Sequence, residues 1–270
     1  MTIIKSLLER VHTITRRSLK ENIFFLHLPK CGGTSIDHAI KCLYRKKDRT
    51  VKVNASASTK AANLINQINF PYDTSDDYPI LKLRENLLLY FMSQGMKYIS
   101  GHFSFSEIGY QNFSDKYIFI TVLRDPVRRW ISLYFFNRYK DEKHCKLEDD
   151  ITTVLHSESG KSQGYEYVKF IGGLNDNRDY TSQRAIDRAK ENLSKFDIVG
   201  SLENQEIFFK QIKDRFGVNL DMPKKNQNPK AEPFIKSVIT DEIKEEIKQL
   251  CKPDLEIYKY AIENIIMPNT

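Results

Sequence analysis

Near its amino terminus the chain reads Ile23-Phe24-Phe25-Leu26-His27-Leu28-Pro29-Lys30-Cys31-Gly32-Gly33-Thr34-Ser35. The first half is an apolar run rich in β-forming residues, which is typical of a strand buried on both faces. The two glycines let the backbone turn tightly after that strand, and Thr34 or Ser35 is expected to cap the helix that follows. This arrangement predicts an anion site, because free N–H groups and the positive end of a helix dipole meet there and Lys30 adds a full charge.

This loop differs from a Walker A loop, which has four residues between its glycines and a Lys-Ser/Thr pair after the second one. Here Lys30 precedes the glycines, so its side chain would reach a ligand from the strand side. An ordinary strand-to-helix turn with a solvated lysine is the alternative interpretation. The lysine before the turn and the two hydroxyls after it favour a phosphate-binding loop.

A second buried strand is predicted over Tyr117-Ile118-Phe119-Ile120-Thr121-Val122-Leu123, followed by Arg124-Asp125-Pro126 and a helix. Asp125 suits the cap of that helix and Pro126 suits its first turn. Arg124 falls at the carboxyl end of the strand, where open parallel sheets bind ligands. Ser132 lies about two turns into the helix, on a face that could approach the same anion. A guanidinium and a hydroxyl at one place suit a phosphate monoester.

Taken together, these two stretches resemble the sulfotransferase family that uses 3′-phosphoadenosine 5′-phosphosulfate (PAPS) as sulfate donor. The resemblance implies that the 5′-phosphosulfate is held by Lys30, Cys31, Gly32, Gly33, Thr34 and Ser35. It also implies that Arg124 and Ser132 grip the 3′-phosphate. In this family a basic loop late in the chain closes over the adenosine, and its counterparts here are Lys224, Lys225 and Lys230.

A third segment, Tyr98-Ile99-Ser100-Gly101-His102-Phe103-Ser104-Phe105, lies between the other two. It is similar to the Gly-His-Val-Ser-Phe segment of the heparan sulfate and dermatan sulfate uronyl 2-O-sulfotransferases, whose histidine is the catalytic base. The resemblance implies that His102 is the base here. His27 is the rival candidate and Glu107 a weaker one. Residues 196–203 resemble a further segment of the family.

The resemblance implies an α/β, P-loop-like three-layer fold with a central, mostly parallel sheet flanked by helices. We expect one domain over residues 1–270, with an amphipathic helix within residues 1–20, a cofactor-binding and catalytic core over 22–230, and C-terminal helices over 231–270. The implied activity moves a sulfuryl group from PAPS to an acceptor hydroxyl. A carbohydrate hydroxyl is favoured, and a lipid, a polyketide or a small-molecule alcohol remains an alternative acceptor. Lys30 would stabilise the leaving phosphate, and no metal is expected to be required.

The composition and net charge of the chain agree with a sulfotransferase but do not distinguish it from other classes of protein. The net charge of +7 favours anionic partners, among them a nucleotide, an acidic glycan or an anionic membrane surface. No stretch reaches the roughly 18–20 apolar residues that cross a bilayer, although residues 3–20 could lie on a membrane surface or pack on the domain. Four cysteines without CxxC spacing indicate neither a disulfide framework nor a zinc site. We therefore expect a soluble, cytoplasmic protein, with peripheral contact at the inner membrane surface as one option. Golgi members of the resembled family carry a membrane anchor, so the resemblance implies either a bacterial-type relative or a shortened form of such a protein.

Two other functions remain open from the sequence. A P-loop kinase-like phosphotransferase would share the strand-loop-helix architecture, but the GK[ST] element and a cluster of Mg²⁺-binding carboxylates are missing. A non-catalytic binder of acidic polysaccharide or nucleic acid would use the positive charge, but the basic residues are not gathered on one aromatic-interleaved face, so no nucleic-acid partner is expected. Tyr165, Tyr167 and Tyr180 could stack on sugars or serve only in packing.

Overall fold

The computed structural model describes residues 18–66, 77–141, 146–174, 179–220 and 238–268. Residues 1–17, which make up most of the predicted N-terminal helix, lie outside these ranges. So does the predicted basic loop, with Lys224, Lys225 and Lys230.

A parallel sheet forms the centre of the described structure. Its strands are β1 (Asn22–Leu26), β2 (Thr50–Lys52), β3 (Tyr98–Gly101), β4 (Tyr117–Leu123) and β5 (Ile198–Ser201). They lie in the order β2-β3-β1-β4-β5, and every pairing is parallel. The register places Phe24 of β1 between Ile99 of β3 and Phe119 of β4. The predicted α/β architecture with a central parallel sheet is confirmed.

In the described ranges, helices connect the strands and follow β5. In order they are α1 (Gly33–Lys41), α2 (Ala55–Ile65), α3 (Tyr78–Ser93), α4 (Glu107–Phe113), α5 (Pro126–Tyr139), α6 (Ile151–His156), α7 (Glu158–Ser162), α8 (Glu166–Ile171), α9 (Gln183–Leu193), α10 (Gln205–Phe216), α11 (Asp241–Leu250) and α12 (Lys252–Ala261). A 3-10 turn over Gln163–Tyr165 precedes α8, and a π-helical turn over Ile262–Ile266 extends α12.

The side chains of β1 alternate between the two faces of the sheet, and helices cover both faces. Ile23 and Phe25 pack in one core with residues of α1 and α10. Phe24 and Leu26 pack in a second core with residues of α3, α8, α9 and α12. Three layers therefore result, as the sequence predicted. Since β1 is buried on both faces, its apolar run has no polar alternation.

Two local predictions about helix starts met different outcomes. Asp125 caps α5 as predicted, accepting a hydrogen bond from the N–H of Arg128 at 2.9 Å. The prediction that Thr34 or Ser35 caps α1 was wrong, because α1 begins at Gly33 and its cap is Gly32 in the left-handed conformation. Both hydroxyl residues lie in the first turn instead, and the cap makes no side-chain hydrogen bond.

The order of the strands predicts where a ligand would bind. From β1 the chain continues to the side of the sheet that holds β2 and β3, whereas from β4 it continues to β5 on the other side. The carboxyl ends of the adjacent strands β1 and β4 therefore form a switch point, which is the usual ligand position in open α/β sheets. Lys30 follows one of these strands and Arg124 follows the other.

Candidate functional site

The loop between β1 and α1 has an unusual backbone. Lys30 has φ of 64° and Gly32 has φ of 72°. Glycine adopts this left-handed conformation readily, but lysine does not. At Lys30 the conformation is therefore uncommon and costs about 1 kcal/mol or more. Strain of this kind persists only where the surrounding structure holds it. Here it lies in the short turn that leads from β1 into α1, which begins at Gly33.

Packing also disfavours a side chain at both positions of the pair. A Cβ atom placed on Gly33 would lie 2.0 Å from Cδ2 of His27. A Cβ atom placed on Gly32 would lie 2.6 Å from Cδ1 of Leu202. The bare backbone therefore lets the start of α1 approach the end of β1 closely.

Lys30 is half-buried, and its ammonium lies 3.9 Å from the ring centroid of Phe136 in α5. Burial, with Arg124 and Lys140 nearby, lowers the pKa of Lys30 to about 8. Within the described ranges neither Lys30 nor Arg124 forms an ion pair with a carboxylate. Positive charge is thus concentrated beside an α-helix N-terminus, which is an arrangement that an anion would stabilise.

The structure brings Arg124 into contact with the β1–α1 loop. Its Nη1 atom donates a hydrogen bond to the carbonyl oxygen of Lys30 at 3.1 Å. Ser132 is half-buried in α5, one helical turn before Phe136, so it lies on the face of the helix that carries the ring under Lys30. Thr34 is exposed and Ser35 is half-buried in the first turn of α1.

Cys31 is buried at the centre of this loop. Its backbone N–H points to the carbonyl oxygen of Leu28 at 3.5 Å, and its thiol lies 3.4 Å from the hydroxyl of Tyr167. Burial raises the pKa of the thiol to about 11. The thiol is therefore protonated at neutral pH, which removes the form that acts as a nucleophile.

His102 follows β3, the other neighbour of β1. Its Nδ1 atom lies 2.5 Å from the backbone carbonyl oxygen of His27. Because a carbonyl oxygen can only accept, Nδ1 carries the proton and Nε2 of the neutral ring is left with its lone pair. Burial lowers the pKa of His102, against the opposing effect of that hydrogen bond. The ring is thus neutral at pH 7, with a basic nitrogen.

The two rival bases occupy different surroundings. His27 is buried against Gly33, with its ring centroid 4.7 Å from that of His102, and burial lowers its pKa to about 3. Glu107 forms an ion pair with Lys195 at 2.8 Å. Of the three, His102 has both partial exposure and an oriented ring.

Sequence reasoning missed Arg84, a buried residue of α3. Its Nη1 atom donates to the carbonyl oxygen of His102 at 2.9 Å, and its Nε atom donates to the hydroxyl of Ser58 at 2.9 Å. These bonds fix the backbone that carries the imidazole. A charged residue among the apolar positions of α3 was the signal in the sequence, since buried arginines need partners.

Residues 196–203 lie beside both predicted anion segments. Leu202 packs over Gly32, and an oxygen of Glu203 accepts a hydrogen bond from the N–H of Asp125 at 3.1 Å. The same oxygen accepts from the hydroxyl of Tyr258 at 3.0 Å. This segment therefore supports the turn that carries Arg124.

The three tyrosines considered for sugar stacking are occupied. Tyr165 and Tyr180 stack on each other with ring centroids 5.7 Å apart. Tyr167 is fully buried.

In the described residues no group of three or more His, Cys, Asp or Glu side chains could hold a metal ion. Nor does the described part of the chain contain a helix long and apolar enough to span a membrane.

The fold and the site define an α/β protein that presents a basic, glycine-containing loop at the switch point of a parallel sheet. A model of the sulfotransferase family matches residues 15–261, and the chain belongs to that family.

Relatives of known name were found at low identity. The chain is 25% identical to heparan sulfate 2-O-sulfotransferase 1 of Xenopus laevis and 24% identical to the human protein of that name, in each case over 199 residues. Each match covers 69% of this chain and 52% of the relative, so the chain spans about half the length of the curated relatives it matches.

One solved structure from a study of the PezAT chromosomal toxin–antitoxin system of Streptococcus pneumoniae aligns with 94% of this chain and 96% of its own. The sequence identity is 14% and the TM-score is 0.36.

Proposed function

We propose that this chain transfers the sulfuryl group of PAPS to a hydroxyl group of a carbohydrate acceptor. One observation carries the proposal: Lys30, Arg124 and His102 follow β1, β4 and β3, which are three adjacent strands of one parallel sheet. The carboxyl ends of parallel strands lie at the same edge of a sheet, which supports the proposal that these three side chains serve a single site. Membership of the sulfotransferase family supports this choice of reaction.

The residues around the loop fit the proposed co-substrate. The peptide groups of Gly32, Gly33, Thr34 and Ser35, with the ammonium of Lys30, would hold the 5′-phosphosulfate at the start of α1. Cys31 would act through its backbone position in the loop, and its thiol would take no part in binding. Arg124, which has no carboxylate partner in the described ranges, and Ser132 would bind the 3′-phosphate. Lys224, Lys225 and Lys230 remain the residues expected near the adenosine.

In the proposed reaction, residues of this chain supply the base and the groups that stabilise the leaving phosphate. The acceptor oxygen forms a bond to sulfur while the bond between sulfur and the bridging phosphate oxygen breaks, and the acceptor proton passes to Nε2 of His102. The negative charge that develops on the leaving phosphate lies beside Lys30 and the N-terminus of α1. By analogy with phosphoryl transfer, positioning and electrostatic stabilisation account for most of the catalysis.

A carbohydrate acceptor is supported by three observations. The segment around His102 resembles that of the uronyl 2-O-sulfotransferases, and the curated relatives are named for heparan sulfate. The net charge of +7 favours an acidic polymer. We therefore propose an acidic polysaccharide hydroxyl as the acceptor class.

Calorimetric titration tests the co-substrate. The protein is titrated with 3′-phosphoadenosine 5′-phosphate (PAP), with 5′-AMP and with ATP plus Mg²⁺. Binding of PAP that requires the 3′-phosphate and is lost in Arg124→Ala is the expected result. A preference for ATP with Mg²⁺ would replace the proposal with the kinase-like alternative, and binding of acidic polysaccharide alone, unaffected by Lys30→Ala, would replace it with the non-catalytic one.

A further inference from the structure

Tyr167 of α8 lies between the two segments that carry Lys30 and Arg124. Its hydroxyl accepts a hydrogen bond from the N–H of Arg124 at 2.9 Å and donates one to the carbonyl oxygen of the same residue. It also lies 3.4 Å from the sulfur of Cys31. One buried hydroxyl therefore contacts both the loop after β1 and the turn after β4.

The position of Tyr167 is itself fixed from the C-terminal part of the chain. The carboxylate Oδ1 of Asp254 in α12 accepts hydrogen bonds from the N–H groups of Tyr167 at 2.8 Å and Val168 at 3.2 Å. The guanidinium of Arg129 lies 5.8 Å from the ring centroid of Tyr167 and 3.8 Å from the other oxygen of Asp254. Each of these groups is buried, so little freedom is left to the ring.

The hydroxyl keeps its proton under all ordinary conditions. Burial raises the pKa of Tyr167 well above its usual value. The protonated hydroxyl can donate to the carbonyl oxygen of Arg124 while it accepts from the N–H of the same residue. Both bonds are therefore available at any pH below the raised pKa of Tyr167. Each bond also satisfies a backbone group of Arg124, directly after β4.

We propose that Tyr167 is a positioning residue that sets the distance between the 5′-phosphosulfate loop and the arginine that binds the 3′-phosphate. This inference rests on the proposed function. The ring of Tyr167 belongs to the hydrophobic core, but its hydroxyl has partners only in those two segments among the described residues. Phenylalanine at this position would keep the packing of the ring in the core and remove the hydroxyl that contacts both Cys31 and Arg124.

The test compares Tyr167→Phe with Tyr117→Phe in calorimetric titrations with PAP and with 5′-AMP. Tyr117 is a matched control, because it is equally buried and its hydroxyl donates to the carbonyl oxygen of Met96 at 2.7 Å, next to the amino end of β4. Because the hydroxyl no longer holds the backbone of Arg124 beside Cys31, Tyr167→Phe is expected to raise the Kd for PAP about tenfold or more. The Kd for 5′-AMP should rise less, because that ligand lacks the 3′-phosphate. Its binding therefore does not depend on the distance between the loop and Arg124.

A second variant keeps the test informative if the phenylalanine protein folds poorly. Replacing Tyr167 with 4-aminophenylalanine retains the ring and supplies an N–H donor, so its Kd for PAP should return to near the wild-type value. The inference is overturned if Tyr167→Phe binds PAP as the wild type does, if Tyr117→Phe weakens binding equally, or if the amino variant shows no rescue. Failure of the wild-type protein to bind PAP would instead overturn the proposed function, and the inference with it.

Discussion

Nδ1 of His102 lies 2.5 Å from the backbone carbonyl oxygen of His27, across the parallel pair β1 and β3. The N–H of His27 in turn donates to the carbonyl oxygen of Gly101 at 3.0 Å, so the ladder between the strands continues to the imidazole. The orientation of the ring is thus a direct consequence of strand pairing. Its Nε2 atom accepts no hydrogen bond from the described residues, which suits His102 to the role of base that we propose for it.

Replacing His102 with alanine tests that role. Turnover of sulfate transfer is expected to fall at least about a hundredfold, the usual scale for a general base, while the affinity for PAP changes little. His156→Ala is the control, since His156 is exposed and its nearest charged partner is Glu246 at 3.5 Å. Near-normal turnover in His102→Ala would assign the base to another residue.

The dependence of kcat/KM on pH should have two limbs. His102 must be neutral to accept a proton, and because burial lowers its pKa, the acid limb is expected below the usual histidine value of about 6.5. Lys30 must be charged to stabilise the leaving phosphate, and its pKa of about 8 places the basic limb there. In Lys30→Arg, whose guanidinium stays charged, the basic limb should move to higher pH. A basic limb unmoved in Lys30→Arg would exclude this assignment.

Gly33→Ala should destabilise the folded protein. Its Cβ atom would meet the ring of His27 at 2.0 Å, and overpacking of this kind typically costs about 1–3 kcal/mol. Removing the ring in the double variant His27→Ala, Gly33→Ala should restore part of the loss. Gly109→Ala is the control, because the nearest atom to its added Cβ is 3.2 Å away. Urea denaturation measures the free energy of unfolding of the wild type and of these three variants. Equal losses of stability in Gly33→Ala and Gly109→Ala would contradict the prediction.

Asp254 should make stability depend on pH in an unusual direction. Burial raises the pKa of its carboxyl to about 7, despite the opposing effects of Arg129 and two backbone N–H groups. The unfolded value is about 3.9, so between these pH values the folded state binds the extra proton and the contribution of Asp254 to stability falls as the pH rises. Asp254→Asn cannot lose that proton.

The difference in unfolding free energy between Asp254→Asn and the wild type, measured in urea, should therefore shift in favour of the variant from pH 5 to pH 8. A shift in the opposite direction would mean that the charged pair with Arg129 stabilises the fold.

Local signals in the sequence sufficed for the elements around the site. The apolar runs of β1 and β4 and the Asp125-Pro126 pair predicted strands and a helix that the structure contains. The cap of α1 was mispredicted because side-chain preference pointed to Thr34 or Ser35, whereas the left-handed backbone of Gly32 ends the loop. Tyr167 and Asp254 contact each other across 87 residues of sequence, and no local pattern reports such a pair.

The roles of Lys30, Arg124, Ser132 and His102 stay predictions that the geometry supports. What the sequence could not supply was their surroundings: the ring of Phe136 beneath Lys30, the carbonyl that orients His102, and Arg84 behind it. Each arises from a contact between separate elements of the fold.

Transfer of labelled sulfur from PAPS to 2-O-desulfated heparan sulfate tests the central claim most directly. The account predicts that the wild-type protein and His156→Ala label the polysaccharide, and that His102→Ala and Arg124→Ala do so at least about a hundredfold more slowly at low PAPS concentration. Labelling that is undiminished in both of those variants, or a protein that binds neither PAPS nor PAP, would contradict it.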